Sequence, residues 1–272
     1  MSEHDGQKRG SSLAAMTPLT PRTMSIAGQT LAYAHRPGSP RLVLLPGSHQ
    51  DRRQWEAVMA ELPAPLGLLV VDLPGHGLSP ALPPLPGIPS YARMIWEVLD
   101  GEPAIGPSFV AGHSLGGMIA MEMGRQRPRD LAGVIAVEGW PHHQVAEDAF
   151  GSRMYDTLSP ELLARQQHLR ALATGHLSQA QRDQLSSIWR HWDGTAWLRD
   201  TALPVLTLWG DRGRPRPTLA QLHLPERPGI SIQWQAGASH NLPLERPVAV
   251  AQAITDYING LTQGHSIPAR SV

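Results

Sequence analysis

Short apolar runs alternate with longer amphipathic stretches along the chain. Residues 41–45 (RLVLL), 67–71 (GLLVV), 108–111 (SFVA), 134–137 (VIAV) and 205–208 (VLTL) are continuous, not alternating. A strand with one wet face shows every second position polar, so unbroken runs point to strands covered on both faces. Between them, residues 55–62, 90–99 and 115–125 carry patterns that can form helices. Near the end, Val250, Ile254, Tyr257, Ile258 and Leu261 recur at helical spacing, with Pro247 near the predicted start. The order is βαβα. It predicts an α/β fold: a mostly parallel sheet flanked by helices.

Residues 140–200 break this rhythm, with almost no strand-like run. One helix is predicted from Ser159-Pro160, and another from Ser178, where Gln181 completes a capping box. Leu185, Ile188, Trp189 and Trp192 then share a face. The division expected is a flexible arm over 1–24, a core over 25–139 and 201–263, an inserted all-helical cap over 140–200, and a flexible tail over 264–272.

Composition narrows the function classes. Twenty-three basic and 23 acidic residues cancel, which argues against electrostatic capture of nucleic acid or an anionic membrane. With no cysteine in the chain, thiolate catalysis, disulfides and thiolate zinc sites are excluded. The polar first residues hold no apolar core of the kind a signal peptide needs, and no run approaches the ~18 to 20 apolar residues of a membrane span. The expectation is a soluble cytoplasmic protein acting on a small molecule, with no cofactor or metal.

The strongest chemical signal is Gly112-His113-Ser114-Leu115-Gly116, which fits G-x-S-x-G directly after an apolar run and before a helical one. A turn this tight leaves no room for side chains at the flanking positions. Ser114 is thereby displayed beside the amide groups of a helix N-terminus. Leu45-Pro46-Gly47-Ser48 follows an early strand, Asp72-Leu73-Pro74-Gly75-His76-Gly77 follows the next, and Ser239-His240-Asn241 precedes the last helix. With these motifs the chain resembles the α/β-hydrolase fold family over residues 25–263.

The resemblance implies a serine nucleophile, Ser114, and a histidine base, His240. A serine hydroxyl needs such a base at neutral pH. It implies an oxyanion hole from the backbone N–H groups of Leu115 and Ser48. The family's usual His-Gly-x is Pro46-Gly47-Ser48 here, so the loop needs another brace, for which His49 is the candidate. The third member must accept the other ring N–H of the histidine. The family's usual G-x-x-D spacing, counted from Gly210, falls on Gly213, and Asp211 comes two residues early. A subset of the family, similar to haloalkane dehalogenases and some lactone hydrolases, carries its acid before the cap. Glu138 ends an apolar run there, an expensive place for an unpartnered carboxylate. Glu138 is the expected acid and Asp211 the alternative. Glu102 and Glu122 read as surface or helix residues.

Trp140, Trp189, Trp192 and Trp197 lie in or beside the insertion, half of the eight tryptophans. With Met154, Tyr155, Leu158, Leu162 and Leu163 they are expected to wall an apolar pocket, Trp140, Trp189 and Trp192 touching the substrate. The function implied is hydrolysis of an ester, lactone or thioester through an acyl-enzyme. Acyl transfer, carbon–carbon bond hydrolysis (with Arg165, Arg170, Arg182 or Arg190 receiving an acid) and non-catalytic ligand binding are the alternatives.

Overall fold

A computed structural model describes residues 18–26, 28–80, 85–102, 104, 106–151 and 157–263. It holds one eight-stranded sheet: β1 (Thr20–Ile26), β2 (Gln29–Arg36), β3 (Arg41–Leu45), β4 (Gly67–Val71), β5 (Ser108–His113), β6 (Gly133–Val137), β7 (Val205–Gly210) and β8 (Ile230–Gln235). The spatial order is β1-β2-β4-β3-β5-β6-β7-β8. β1 and β2 are antiparallel, β2 joins β4 antiparallel, and the remaining pairs are parallel.

The continuous apolar runs resolve into two buried faces. Val43, Leu45, Leu69, Val71, Val110, Val134 and Ala136 point to one core, packed by α2 (Ile88–Gly101) and α3 (Leu115–Gln126). Their neighbours Leu42, Leu44, Leu68, Val70, Phe109, Ile135 and Val137 point to the other. That second core is packed by Trp55, by Val58 of the short α1 (Glu56–Ala60), and by the helix Pro247–Thr262. A fully buried Leu or Phe contributes roughly 1.5–3 kcal/mol by leaving water. These two layers hold the strand ends, and so the loops that follow them, in place.

Between β6 and β7 the chain forms a short π-helix at Ala146–Phe150, then α4 (Pro160–Thr174), α5 (Gln179–Ser187), a 3-10 helix at Ile188–His191 and α6 (Thr195–Asp200). Both expected helix starts appear: Ser159 accepts from the Leu162 amide, and Ser178 and Gln181 form the capping box. The terminal helices are α7 (Leu242–Glu245) and α8 (Pro247–Thr262).

Three expectations need correction. The arm expected over 1–24 ends earlier, because residues 20–24 pair with β2. β1 is mostly exposed, so no apolar pattern marked it. Glu102 is buried, accepting hydrogen bonds from Arg22 and Tyr33, and Glu122 is buried with Arg125, Gln126 and the Trp192 indole as donors. Glu122 is a helix residue, on α3, as one of the two expected readings had it, but neither acid is on the surface. The tail over 264–272 lies outside the described residues.

Candidate active site

The loops after β3, β5, β6, β7 and β8 converge at the carboxyl ends of the parallel strands, where open α/β sheets hold their ligands. Ser114 follows β5 with φ 52° and ψ −116°, a conformation that side chains rarely adopt. The flanking glycines make the turn possible. A Cβ at Gly112 would sit 2.0 Å from the Gly116 carbonyl oxygen, and one at Gly116 would sit 2.3 Å from that of Leu45. Ser114, Leu115, Ser48, His240, Met118, Trp140 and Trp189 line one cavity of about 160 Å³. The buried Ser48 hydroxyl oxygen has no hydrogen-bond partner among the described residues.

His240 Nδ1 donates to Glu138 Oε2 at 3.0 Å. That bond fixes the tautomer and leaves Nε2 as the lone-pair nitrogen. Glu138 is fully buried at the end of β6 with φ 51°. Its Oε1 accepts from the Gly210 amide at 2.6 Å and from Arg212 at 2.7 Å, and Arg212 also donates to Oε2 at 2.8 Å. Burial would raise the Glu138 carboxyl, but the Arg212 charge and the bonds from His240 and Arg212 outweigh it and hold it at about 2.

Asp211 is placed differently. Its Oδ1 accepts from the amides of Gly213 (2.8 Å) and Gly237 (2.7 Å), tying the loop after β7 to the turn after β8. The carboxylate that meets His240 Nδ1 is that of Glu138.

Bracing of the β3 loop falls to a residue that sequence reasoning missed. Gln54 Oε1 accepts from the Gly47 amide at 2.9 Å, while its Nε2 donates to His113 Nδ1 at 2.9 Å. His113 Nε2 in turn donates to the His240 carbonyl at 2.8 Å. One amide side chain thus links the loop after β3, the turn after β5 and the loop that carries His240. His113 is neutral in this role, since burial and the neighbouring His240 hold it down at about 3. His49, expected to brace the loop, instead reaches the insertion: its ring bonds Ser186 of α5 at 2.9 Å and Thr174 of α4 at 3.4 Å. His76 accepts from the His49 amide at 3.1 Å.

The cavity walls also differ from expectation. Trp140 and Trp189 do line it, with their rings 5.4 Å apart and edge-on, and Trp140 lies 5.4 Å from the His240 ring. Trp192 is not among the lining residues; its indole N–H donates to Glu122 at 2.9 Å, away from the cavity. α4 supplies Gln166 and Arg170 to the lining, while Leu163 is exposed. Met154 and Tyr155 lie outside the described residues. Among the described residues no group of three or more His, Asp or Glu could hold a metal, and no helix is long and apolar enough to cross a membrane.

Comparison with known proteins bears on the fold. A model of the alpha/beta hydrolase family matches residues 42–253. The chain is 36% identical over 118 residues to a 2-succinyl-6-hydroxy-2,4-cyclohexadiene-1-carboxylate synthase of Enterobacter sp. (strain 638), covering 43% of this chain and 44% of that one. It therefore spans less than half the length of that curated relative. An esterase of Rhodococcus sp. ECU1013 superposes with a TM-score of 0.69 at 23% identity, over 89% of this chain and 99% of that one. A thermophilic esterase of Thermogutta terrifontis gives 0.68 at 19% identity, over 89% and 98%. At these identities the structures share the fold.

Proposed function

The chain belongs to the alpha/beta hydrolase family, and on that premise we propose that it is a serine hydrolase cleaving a carboxylic ester, lactone or thioester through an acyl-enzyme. The observation that carries this reading is the Glu138–His240 contact at 3.0 Å beside a cavity that Ser114 also lines. In the reaction, Ser114 Oγ bonds to the carbonyl carbon while His240 Nε2 takes its proton. The carbonyl oxygen becomes an oxyanion, received by the Ser48 and Leu115 amides. The tetrahedral intermediate collapses, His240 protonates the leaving oxygen or sulfur, and an acyl group remains on Ser114. Water, deprotonated by His240, then attacks the acyl carbon and regenerates the serine. Glu138 holds the imidazole and balances its charge. Trp140 and Trp189 give an apolar part of the substrate its contact surface, and the inserted helices act as a cap. The expected partner is a small molecule.

A second reading keeps the same triad and changes the substrate. Arg170 and Gln166 bring polar groups into the cavity, and the synthase match is to a protein named for a carboxylate. Both favour a substrate that carries a carboxylate, and carbon–carbon bond chemistry is the alternative reaction for the triad on such a substrate.

A fluorophosphonate probe and a panel of p-nitrophenyl esters test the first reading. Wild type should label once, at Ser114, and turn over short acyl esters. Ser114→Ala should lose labelling, and turnover should fall by roughly 10⁴-fold or more. A wild type that neither labels nor hydrolyses any ester would sink the proposal. Turnover of a keto acid, abolished by Arg170→Gln, would favour the second reading.

A further inference from the structure

Arg212 is buried at 5% exposure, in left-handed backbone with φ 56°. Its guanidinium grips both oxygens of Glu138 and also donates to the Gly210 carbonyl. Phe150, from the segment between β6 and β7, lies 3.8 Å from the guanidinium carbon, measured to the ring centroid. A triad acid needs one hydrogen bond to the imidazole and a negative charge that favours the imidazolium. Here a cation in direct, two-point contact already matches that charge.

The other groups around the pair do not duplicate this cation. His113, from the end of β5, has its ring 5.1 Å from that of His240, and burial holds it neutral with a value of about 3. His49 lines the same cavity and is held at about 4, by burial first and by the Arg170 charge second. Arg170 lies in the cavity wall on α4. Arg212 is the cation bonded to Glu138 itself.

We propose that Arg212 is a positioning residue with two separable effects: it fixes the plane of the Glu138 carboxylate, and its charge keeps the Glu138–His240 dyad from taking up a proton until lower pH. The inference rests on the Ser114–His240–Glu138 reading for its effect on turnover. The Glu138–Arg212 pair is neutral as a unit, so it attracts an extra proton less than a lone buried carboxylate would. Without Arg212 the dyad would gain its proton at higher pH, whichever of the two groups carried it. The fork geometry is a separate matter, since an ammonium in place of the guanidinium keeps the charge but cannot hold both oxygens in one plane.

The test uses Arg212→Met and Arg212→Gln, which remove the charge, and Arg212→Lys, which keeps it. Two readouts apply. One is the acid limb of the kcat/KM profile on an ester. The other is an NMR titration of ¹³C-labelled histidines, with the His240 signal assigned from its loss in His240→Gln. Removing the charge should move both the acid limb and the titration midpoint up by about one pH unit or more. Arg212→Lys should keep the wild-type midpoint while kcat falls. If folded Met or Gln variants titrate as wild type does, or if Lys shifts the midpoint as far as Met, the inference is overturned. If Met does not fold, Gln, which keeps a donor toward Glu138, carries the measurement. Failure of Ser114 labelling would count against the hydrolase reading alone, because the titration needs no turnover.

Discussion

Two loops at neighbouring strand ends each carry a carboxylate, and they use it in opposite ways. After β6, Glu138 is fully buried and receives four hydrogen bonds, from an amide, a guanidinium twice and an imidazole. After β7, Asp211 is partly exposed and receives two backbone amides. Both are acids beside a turn. One bonds the His240 ring, and the other satisfies the donors of a loop. The role of a carboxylate follows from the donors around it. The same β7 loop supplies Arg212 to Glu138, so the loop that lacks the acid at the usual spacing contributes to the site through its arginine.

The sharpest way to break this comparison is to neutralise each acid in turn. Glu138→Gln keeps the shape but lets the imidazole adopt the wrong tautomer, so kcat on an ester should fall by roughly 10³ to 10⁴-fold. Asp211→Asn should stay within a few-fold of wild type. Steady-state kinetics on variants first shown to fold by circular dichroism decide the matter. A collapse of Asp211→Asn with an active Glu138→Gln would reverse the assignment.

How much of this was readable in the chain depends on whether the information is local. The parallel sheet was legible because unbroken apolar runs need two covered faces, and Leu42 and Val43 duly point to opposite cores. Ser114 could be found because its glycines are required by contacts within the turn itself. Glu138 stood out because a carboxylate closing an apolar strand needs a partner. The partner was not legible: Arg212 is 74 residues away, and arginine next to an aspartate reads as a local ion pair. Gln54 had no signal, since two of its three side-chain contacts, His113 and Asn241, lie 59 and 187 residues away in the chain, and the third is a local backbone amide, that of Gly47. Periodicity placed Trp189 and Trp192 on one face but cannot say which indole turns to the cavity and which to Glu122.

A smaller effect sharpens the comparison through acid stability. Glu138 is held at about 2, below the value near 4.5 of an unpaired glutamate. The unfolded chain therefore takes up this proton first as pH falls. The stability Glu138 contributes is fully present above about 4.5, shrinks below it, and is gone once pH passes about 2, amounting to about 3 kcal/mol in all. Urea midpoints measured at pH 7, 4 and 3 should fall more steeply in wild type than in Glu138→Gln, which has no such proton to take up. Equal slopes in the two proteins would mean that the Arg212–Glu138 pair does not hold the carboxylate ionised.

The smallest expected effect belongs to Asp211. Its two bonds are to backbone amides in loops, Gly213 and Gly237, both at positive φ. Asn at this position keeps one acceptor oxygen of the same shape but loses the negative charge that strengthens both bonds. A charged acceptor adds about 1 kcal/mol over a neutral one, so Asp211→Asn should lower unfolding free energy by about that amount while leaving ester turnover near wild type. The loop it ties also carries Arg212, whose own amide bonds the Ala238 carbonyl at 3.1 Å. Thermal unfolding and kcat/KM on the same preparation separate the outcomes. A modest drop in melting temperature with turnover retained makes Asp211 a loop tie alone. A drop in turnover accompanied by an upward shift of the acid limb would mean that the tie also holds Arg212 against Glu138, and the two loops would then have to be treated as one unit.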